Sequence, residues 1–261
     1  MANEKLSYLI HYLLSERNDL GGIKIPEHDN DRFRLYRSLV NIRPAMKADD
    51  TFLKTEDEYL TELTAEKGIT AIEDLKPVED NLYLRKGDIT TLKCGAVVNA
   101  ANSGMTGCWQ PCHSCIDNCI HTFAGVRLRY QCNQIMQAQG YEEPTGKAKI
   151  TPAYNLPCDY VIHTVGPIVQ GKLTAEHCRL LESSYRSCLE TAVQNGIKSI
   201  AFCCISTGVF GFPQNKAAEI AVHTVRTFCR THKIKVIFNV FKEDDYEIYK
   251  RLLGSTEPSE S

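Results

Sequence analysis

The chain has 261 residues, ample for a full hydrophobic core and for one domain with an extension. Its 30 basic and 32 acidic residues leave a formal charge of −2, which argues against a protein whose main task is to coat nucleic acid or an anionic membrane. No apolar run approaches the length of a membrane span.

The N-terminus MANEKLSYLIHYLLSERND has a short apolar segment followed by charges and no small-residue cleavage site, so it reads as an amphipathic helix and not as a signal peptide. The expectation is a soluble, cytoplasmic, monomeric protein. Its twelve cysteines are then mostly reduced core thiols, as in IAFCCIS, and not the disulfides of a secreted domain.

Residues 4–17 carry Leu6, Leu9, Ile10, Leu13 and Leu14 at helical spacing, and DRFRLYRSLVNI at 31–42 predicts a second helix. IPEHDND at 25–31 is loop chemistry between them. Thr55 followed by Glu58 has the form of a capping box, predicting a third helix through about Leu63. Residues 1–76 thus form a charged helical region without strand signals.

The pattern changes near Asn81. LYLRKGDIT ends a strand in a Gly-Asp turn, and CGAVVNAAN is a buried strand running into a polar loop. Helices are predicted over 114–124 and 126–139, and strands over AKITPAY and YVIHTVGP. A long amphipathic helix follows over 174–195, closed by Gly196. SIAFCCIST is a fully buried strand, QNKAAEIAVHTVRTFCRTH a long helix, IKVIFNVF another buried strand and EDDYEIYKRLL a last short helix. Buried strands alternating with helices predict a three-layer α/β domain, in which ligands bind beyond the strand C-terminal ends. The loops GDI, NAANSG, HTVGP and STGVFGFP fall at those ends.

In STGVFGFP, Gly208 and Gly211 free backbone N–H groups to approach an anion beside a helix N-terminus. The stretch is neither a Walker A loop nor a GxGxxG fingerprint, and by itself it also reads as an ordinary strand-to-helix turn. The absence of a lysine favours a diphosphate held by backbone amides.

GCWQPCHSCIDNCIH, residues 107–121, packs four cysteines and two histidines into fifteen residues. A zinc site, a redox dithiol and a sulfur-rich core helix are all open readings. WQPCHSC sets Cys112 and Cys115 in a CxxC, but the proline precedes both thiols, unlike the thioredoxin type. PCHSC fits half of the zinc-deaminase signature, yet no histidine is followed two places later by glutamate. Cys119, four residues after Cys115 on the predicted helix, suits inward packing.

Taken together, the loops resemble the macrodomain family, which binds ADP-ribose. The matching pieces are GDIT (87–90), VVNAANS (97–103), IDNCIHTFAG (116–125), VIHTVGP (161–167), STGVFGFP (206–213) and VFKEDDYEIYK (240–250), in the family's order. Ordinary hydrolytic macrodomains carry glycines after NAAN. Here the chain is similar to the zinc-dependent microbial branch, which carries Cys-x4-His-x-Cys, in this sequence Cys108, His113 and Cys115, and an N-terminal helical extension. Cys112 and Cys119 depart from that pattern. The resemblance implies a three-layer α/β/α macrodomain with a mixed central sheet over 77–253, preceded by a helical extension over 1–76 and followed by a disordered tail over 254–261.

The resemblance also implies roles. Gly87, Asp88 and the backbone of Ile89 would read the adenine amino edge, where a carboxylate accepts from the exocyclic amine and excludes guanine. Phe241 would lie against the adenine, unless it is simply packed in the core. Ser206, Thr207, Gly208, Val209, Phe210 and Gly211 would wrap the pyrophosphate. Asn102 would bond the distal ribose, and Asp117 would orient a water or act as a base. Zn2+ on Cys108, His113 and Cys115 has the three-ligand layout of catalytic zinc, unless Cys112 or Cys119 closes the shell. His121 and His163 read as structural, bonded to nearby backbone. The implied activity is zinc-dependent hydrolysis of mono-ADP-ribose from O-linked, acidic side chains of modified proteins. The alternatives are a reader that binds ADP-ribose without hydrolysing it and an O-acetyl-ADP-ribose deacetylase. The implied partners are ADP-ribose and mono-ADP-ribosylated protein, with neither nucleic acid nor membrane.

Overall fold

The computed structural model describes residues 2–20 and 22–254. Three helices come first: α1 Ala2–Ser15, α2 Asp29–Ile42 and α3 Asp50–Lys67. Their apolar stripes meet in one cluster, with Leu6, Leu9 and Leu13 of α1 against Tyr36 and Leu39 of α2 and Phe52 and Leu60 of α3. α3 begins before the expected capping box. Asp49 is its N-cap, the carboxylate accepting from Phe52 N at 2.7 Å, and Thr55 lies inside the helix with its hydroxyl donating to Thr51 O at 2.8 Å. A carboxylate beside the positive end of the helix outcompetes an internal threonine.

A two-residue strand, β1 Thr70–Ala71, pairs in parallel with β4 Leu92–Lys93, so the first 76 residues do contain a strand. It is too short to show any periodicity. The main sheet contains β2 Pro77–Glu79, β3 Leu82–Lys86, β5 Ala96–Ala101, β6 Ala148–Pro152, β7 Tyr160–Val165, β8 Ser199–Phe202 and β9 Lys235–Val240. Its order is β2-β3-β9-β8-β5-β7-β6. The five inner strands run parallel, and β2 and β6 are antiparallel edges.

Alternate residues of the inner strands face opposite layers. Val97, Val161, Ala201 and Ile237 pack with Ile120 and Phe123 of α4 Ile116–Ala124 and with Leu128 and Cys132 of α5 Val126–Gln139. Val98, Ile162, Ile200 and Phe238 pack against α6 Ala175–Gln194, α7 Gln214–Cys229 and α8 Glu243–Gly254. The three-layer α/β architecture is therefore as expected. The tail expected over 254–261 lies outside the described residues, except for Gly254, the last residue of α8. No helix among the described residues is long and apolar enough to cross a membrane.

The strand expected over SIAFCCIST ends at Phe202, and Cys203 and Cys204 leave the sheet. β8 pairs with β5 only through Ala96↔Ile200 and Val97↔Ala201, whereas β5 follows β7 to Ala101↔Val165. β5 and β8 therefore part at their C-terminal ends. The chain also reverses direction across the sheet there, since β5 leads to β7 on one side and β7 to β8 on the other. This is the switch point at which open α/β sheets form a ligand crevice.

Glu56 of α3 joins the extension to the sheet. It is fully buried, accepts from Tyr36 Oη at 2.7 Å and accepts from Val126 N, at the start of α5, at 3.0 Å. Gly125 precedes it at φ +88°, and a Cβ there would stand 2.6 Å from Glu56 Oε2, so the approach requires glycine. Burial pushes the Glu56 carboxyl up to about 7, although both hydrogen bonds oppose this.

A carboxyl raised in the folded state stabilises the fold below its unfolded value of about 4.3, and that contribution is lost as pH rises through the folded value. His163, pushed down to about 3 by burial, does the opposite and costs stability as pH falls below the ordinary histidine value of about 6.5. Urea unfolding measured between pH 4.5 and pH 8 checks this balance. Glu56→Gln is expected to lose most of the decline in stability between about pH 4.5 and 7 and to keep the loss on the acid side.

Candidate active site

The C-terminal ends of the parallel strands gather the expected site residues at one edge. β3 and β9 are in register to Lys86↔Val240, so Asp88 and Phe241 lie just past a paired position. Phe241 is 77% exposed, which excludes simple core packing. Asp88 Oδ1 accepts from Thr90 N at 2.9 Å and from Thr90 Oγ1 at 2.6 Å, while Oδ2 faces Lys67 Nζ of α3 at 3.3 Å. Burial alone would raise this carboxyl, but the Thr90 hydrogen bonds and Lys67 outweigh it and hold it below the usual carboxylate value. Ile89 is buried behind it.

The loop from Cys203 to Phe212 leaves β8 beside the crevice. Ser206 has φ +66° and Gly211 φ +67°, and the turn closes by Phe212 N donating to Ser206 O at 3.0 Å. The Ser206 hydroxyl is buried with no hydrogen-bond partner. Gly208 has nothing within 4 Å of the place a Cβ would take, and Val209 is 77% exposed. α7 opens directly after this loop, so exposed backbone sits at a helix N-terminus, a favourable place for an anion.

Asn102 follows β5. Its Oδ1 accepts from Gly104 N at 3.0 Å, and its Nδ2 donates to Gly107 O at 3.1 Å and to Asp117 Oδ2 at 3.3 Å. Asp117 is only 4% exposed, and its other oxygen accepts from Asn99 Nδ2 at 2.8 Å. Burial pushes Asp117 up to about 6, opposed by the Asn99 hydrogen bond and the Arg129 charge. The carboxylate thus lies beneath Asn102 and fixes its amide.

Two sets of donors among the described residues are close enough to hold a metal ion. In the first, Cys108 Sγ lies 3.5 Å from His113 Nδ1, and the ligand atoms of Cys108, His113 and Cys115 are all within 4.8 Å of one another. Cys115 is also the N-cap of α4, its sulfur accepting from Asn118 N at 3.4 Å. Burial pushes the Cys115 thiol up to about 12, the Asn118 N–H opposing and the adjacent Cys108 reinforcing. A cation between two such sulfurs relieves their repulsion, because the thiolate is the ligand form. The donors are soft and half-buried, a set that fits zinc.

Cys112 and Cys119 stand outside this set. The Cys112 thiol donates to Arg34 O at 3.3 Å. Cys119 is half-buried, and Arg37 Nη2 donates to its sulfur at 3.5 Å.

The second set, His121, Cys132 and His163, is fully buried and could also hold a metal ion. The expectation of backbone bonds for these histidines does not hold. His163 meets side chains, Asn99 Nδ2 donating to Nδ1 at 3.1 Å and Thr151 Oγ1 lying 2.9 Å from Nε2. Neither ring nitrogen of His121 has a hydrogen-bond partner, and its Nε2 is 3.6 Å from Asp117 Oδ1. The helix and sheet ladders already consume the backbone groups around both rings. Burial pushes both rings below the ordinary histidine value, keeping them neutral.

Residues 98–221 match the Macro domain family model. Over 96% of its length the chain is 57% identical to a protein-ADP-ribose hydrolase of Treponema medium, and the match covers 98% of that relative. This chain belongs to the macrodomain family. A protein-ADP-ribose hydrolase of Staphylococcus aureus (strain MRSA252) is 48% identical, with 94% of each chain covered. Among solved structures, the Trypanosoma brucei macrodomain in complex with ADP-ribose matches at TM-score 0.65 and 29% identity, over 84% of this chain and 95% of that one. An Oceanobacillus iheyensis macrodomain with MES bound matches at TM-score 0.62 and 36% identity, over 69% of this chain and 94% of that one.

In this macrodomain several residues around the site carry no local sequence signal. Lys67, Arg37 and Asn41 reach it from the helical extension. Arg129 had one available sign, a charge set among buried Val126, Leu128 and Cys132 on α5. The crevice loops also touch one another closely. A Cβ on Gly166 would stand 2.1 Å from Ser206 Oγ and 2.7 Å from Ile205 Cγ2. Gly166→Ala is therefore expected to cost about 1–3 kcal/mol by urea unfolding, whereas Gly208→Ala, facing open space, should cost under about 0.5 kcal/mol.

Proposed function

We propose that the chain uses zinc held by Cys108, His113 and Cys115 to remove mono-ADP-ribose from O-linked, acidic side chains of proteins. That it is a protein-ADP-ribose hydrolase rests on 57% and 48% identity to two such enzymes over nearly its whole length. One observation carries the metal reading: three soft, half-buried donors within 4.8 Å of one another, on the loop that joins Asn102 to α4. The buried set at His121, Cys132 and His163 is a poorer catalytic candidate, because it is closed to solvent and His163 already has partners on both nitrogens. The linkage preference follows the resemblance of the cysteine loop to the zinc-dependent branch. We treat residues 1–76 as an extension and 77–253 as the macrodomain proper, a division that the parallel β1–β4 pair crosses.

In this reading Asp88, with the backbone of Ile89, accepts the exocyclic amine of adenine. Gly87 lets the Arg85 guanidinium pack behind them, where a Cβ would stand 2.9 Å from Arg85 Cζ, and Phe241 lies against the base. Backbone amides from Ser206 to Gly211 hold the pyrophosphate beside the α7 N-terminus. Asn102, locked at both ends of its amide, holds the distal ribose, so loss of its geometry hurts binding and turnover together. Asp117 orients Asn102 and the attacking water, and its burial favours that role over direct proton abstraction. The reaction consumes one water: the bond from the anomeric carbon to the side-chain oxygen breaks, hydroxyl adds to the ribose and the released carboxylate takes the proton. When bound, zinc on the two thiolates and the imidazole would supply mild Lewis acidity and a charge that orients a ribose hydroxyl or water.

Purified Cys108→Ala and His113→Ala are expected to lose zinc affinity by more than the roughly 100-fold typical of outer-shell changes and to stop releasing ADP-ribose from automodified protein. Their affinity for free ADP-ribose should stay within about threefold of wild type, because the adenine and pyrophosphate loops are separate. Zinc content, ADP-ribose release and calorimetric binding check the three parts. Normal turnover in both variants would sink the zinc reading, and a wild type that binds ADP-ribose but cleaves no linkage would be a reader.

A further inference from the structure

Between Asn102 and α4 the chain has no regular secondary structure, so its backbone groups need partners from elsewhere. Two of these partners come from α2 of the extension. Arg37 Nη2 donates to the carbonyl of His113 at 2.7 Å. The same guanidinium donates to Asn118 Oδ1 from Nε at 3.1 Å and from Nη2 at 2.8 Å. Asn118 Nδ2 in turn donates to Gln110 O and to Asn41 Oδ1, each at 2.9 Å. Asn41 Oδ1 also accepts from Cys112 N at 2.9 Å.

A second observation points the same way. Cys112 has φ +53°, a left-handed conformation that costs a non-glycine residue about 1–2 kcal/mol and persists only where neighbours over-determine it. This turn lies immediately before His113. The residue whose backbone is forced is thus held by Asn41 through its N–H and by Arg34 through its thiol, while the ligand residue beside it is held by Arg37.

We propose that Arg37 and Asn41 are positioning residues of the metal site: α2 holds the Cys112 turn and the His113 backbone so that His113 faces Cys108 and Cys115. The extension is then part of the metal centre and not only a cover for the fold. This rests on the reading of Cys108, His113 and Cys115 as the ligands. Arg37 suits the task because its planar fork holds two acceptors, a carbonyl and an amide oxygen, in a fixed geometry, where a lysine offers only a compact ammonium on a flexible stem. The arrangement also explains two cysteines that the ligand set leaves over, since Cys112 is bonded to α2 and Cys119 accepts from Arg37.

The test is zinc affinity, measured by competition with a chromogenic chelator on the full chain, alongside calorimetric ADP-ribose affinity and urea unfolding of the metal-free protein. Arg37→Met keeps the side-chain stem but loses the donors, and Asn41→Leu loses the acceptor for Cys112 N. Each is expected to weaken zinc binding by about 10–100-fold, the usual effect of removing a group that orients a ligand. ADP-ribose affinity should stay within about threefold, and the more conservative Arg37→Lys should fall between wild type and Arg37→Met.

Unchanged zinc affinity in Arg37→Met and Asn41→Leu would overturn the proposal. So would a parallel fall in zinc affinity, ADP-ribose affinity and metal-free stability, because a merely structural role predicts that pattern. Should one variant fail to fold, the other and Arg37→Lys decide. The ligand reading is separated by the unsubstituted protein: if it takes up no zinc, or if Cys108→Ala takes up as much, that reading fails and this proposal with it.

Discussion

Arg129 is 5% exposed, and its Nη1 donates to the carbonyls of Val40, Asn41 and Arg43 at the end of α2, at 2.9, 2.8 and 2.8 Å. Its Nε donates to Thr106 O at 2.7 Å and its Nη2 reaches Cys108 O at 3.5 Å. A helix end leaves carbonyls without partners and carries partial negative charge, so a cation there satisfies both needs. Burial pulls the guanidinium down to about 10, opposed first by Asp117, so it stays charged at neutral pH. The Trp109 ring lies 4.2 Å away and covers it. Removing the guanidinium would leave buried carbonyls without partners, at about 1–3 kcal/mol for each one left unsatisfied. This residue ties the extension, the cysteine loop and α5 into one body.

The rest of the site follows from that joint. Glu56 makes a second joint between the extension and α5, and Lys67 a third, at the Asp88 end of the crevice, where it pairs with Asp88 and lies 3.4 Å from the centre of the Phe123 ring. The extension therefore touches both ends of the crevice. The sheet contributes differently. Its parallel strands aim five loops at one edge, and the early parting of β5 and β8 opens room between them.

Much of the fold was legible in the sequence because its signals are local. The apolar runs around Val97, Ile162, Ile200 and Ile237 mark strands buried on both faces, and Leu181, Tyr185, Cys188 and Leu189 mark the inner face of α6. Short elements and boundaries were less legible. β1 is two residues long, Asp49 competes with Thr55 for the start of α3, and the thiols of Cys203 and Cys204 look like strand residues although the chain has already turned away. The candidate site residues were legible as ordered loop motifs at strand ends. Their supports were not, because Arg37, Asn41, Glu56 and Lys67 act across wide sequence gaps.

By itself the sequence determined the alternation of buried strands and amphipathic helices, the polar loops at strand ends and a soft donor set too dense to be ordinary core. Periodicity and spacing suffice for these, since each depends on residues within one or two turns of chain. Only the tertiary structure decided how the surplus sulfur is divided. Cys108 and Cys115 lie with His113 within ligating distance, Cys112 bonds to α2 and Cys119 accepts from Arg37. It also decided that Asp117 lies beneath Asn102 and that Phe241 is exposed at the crevice. The physical reason is the same in each case: which groups a buried charge or an irregular loop can bond depends on segments that only folding brings together.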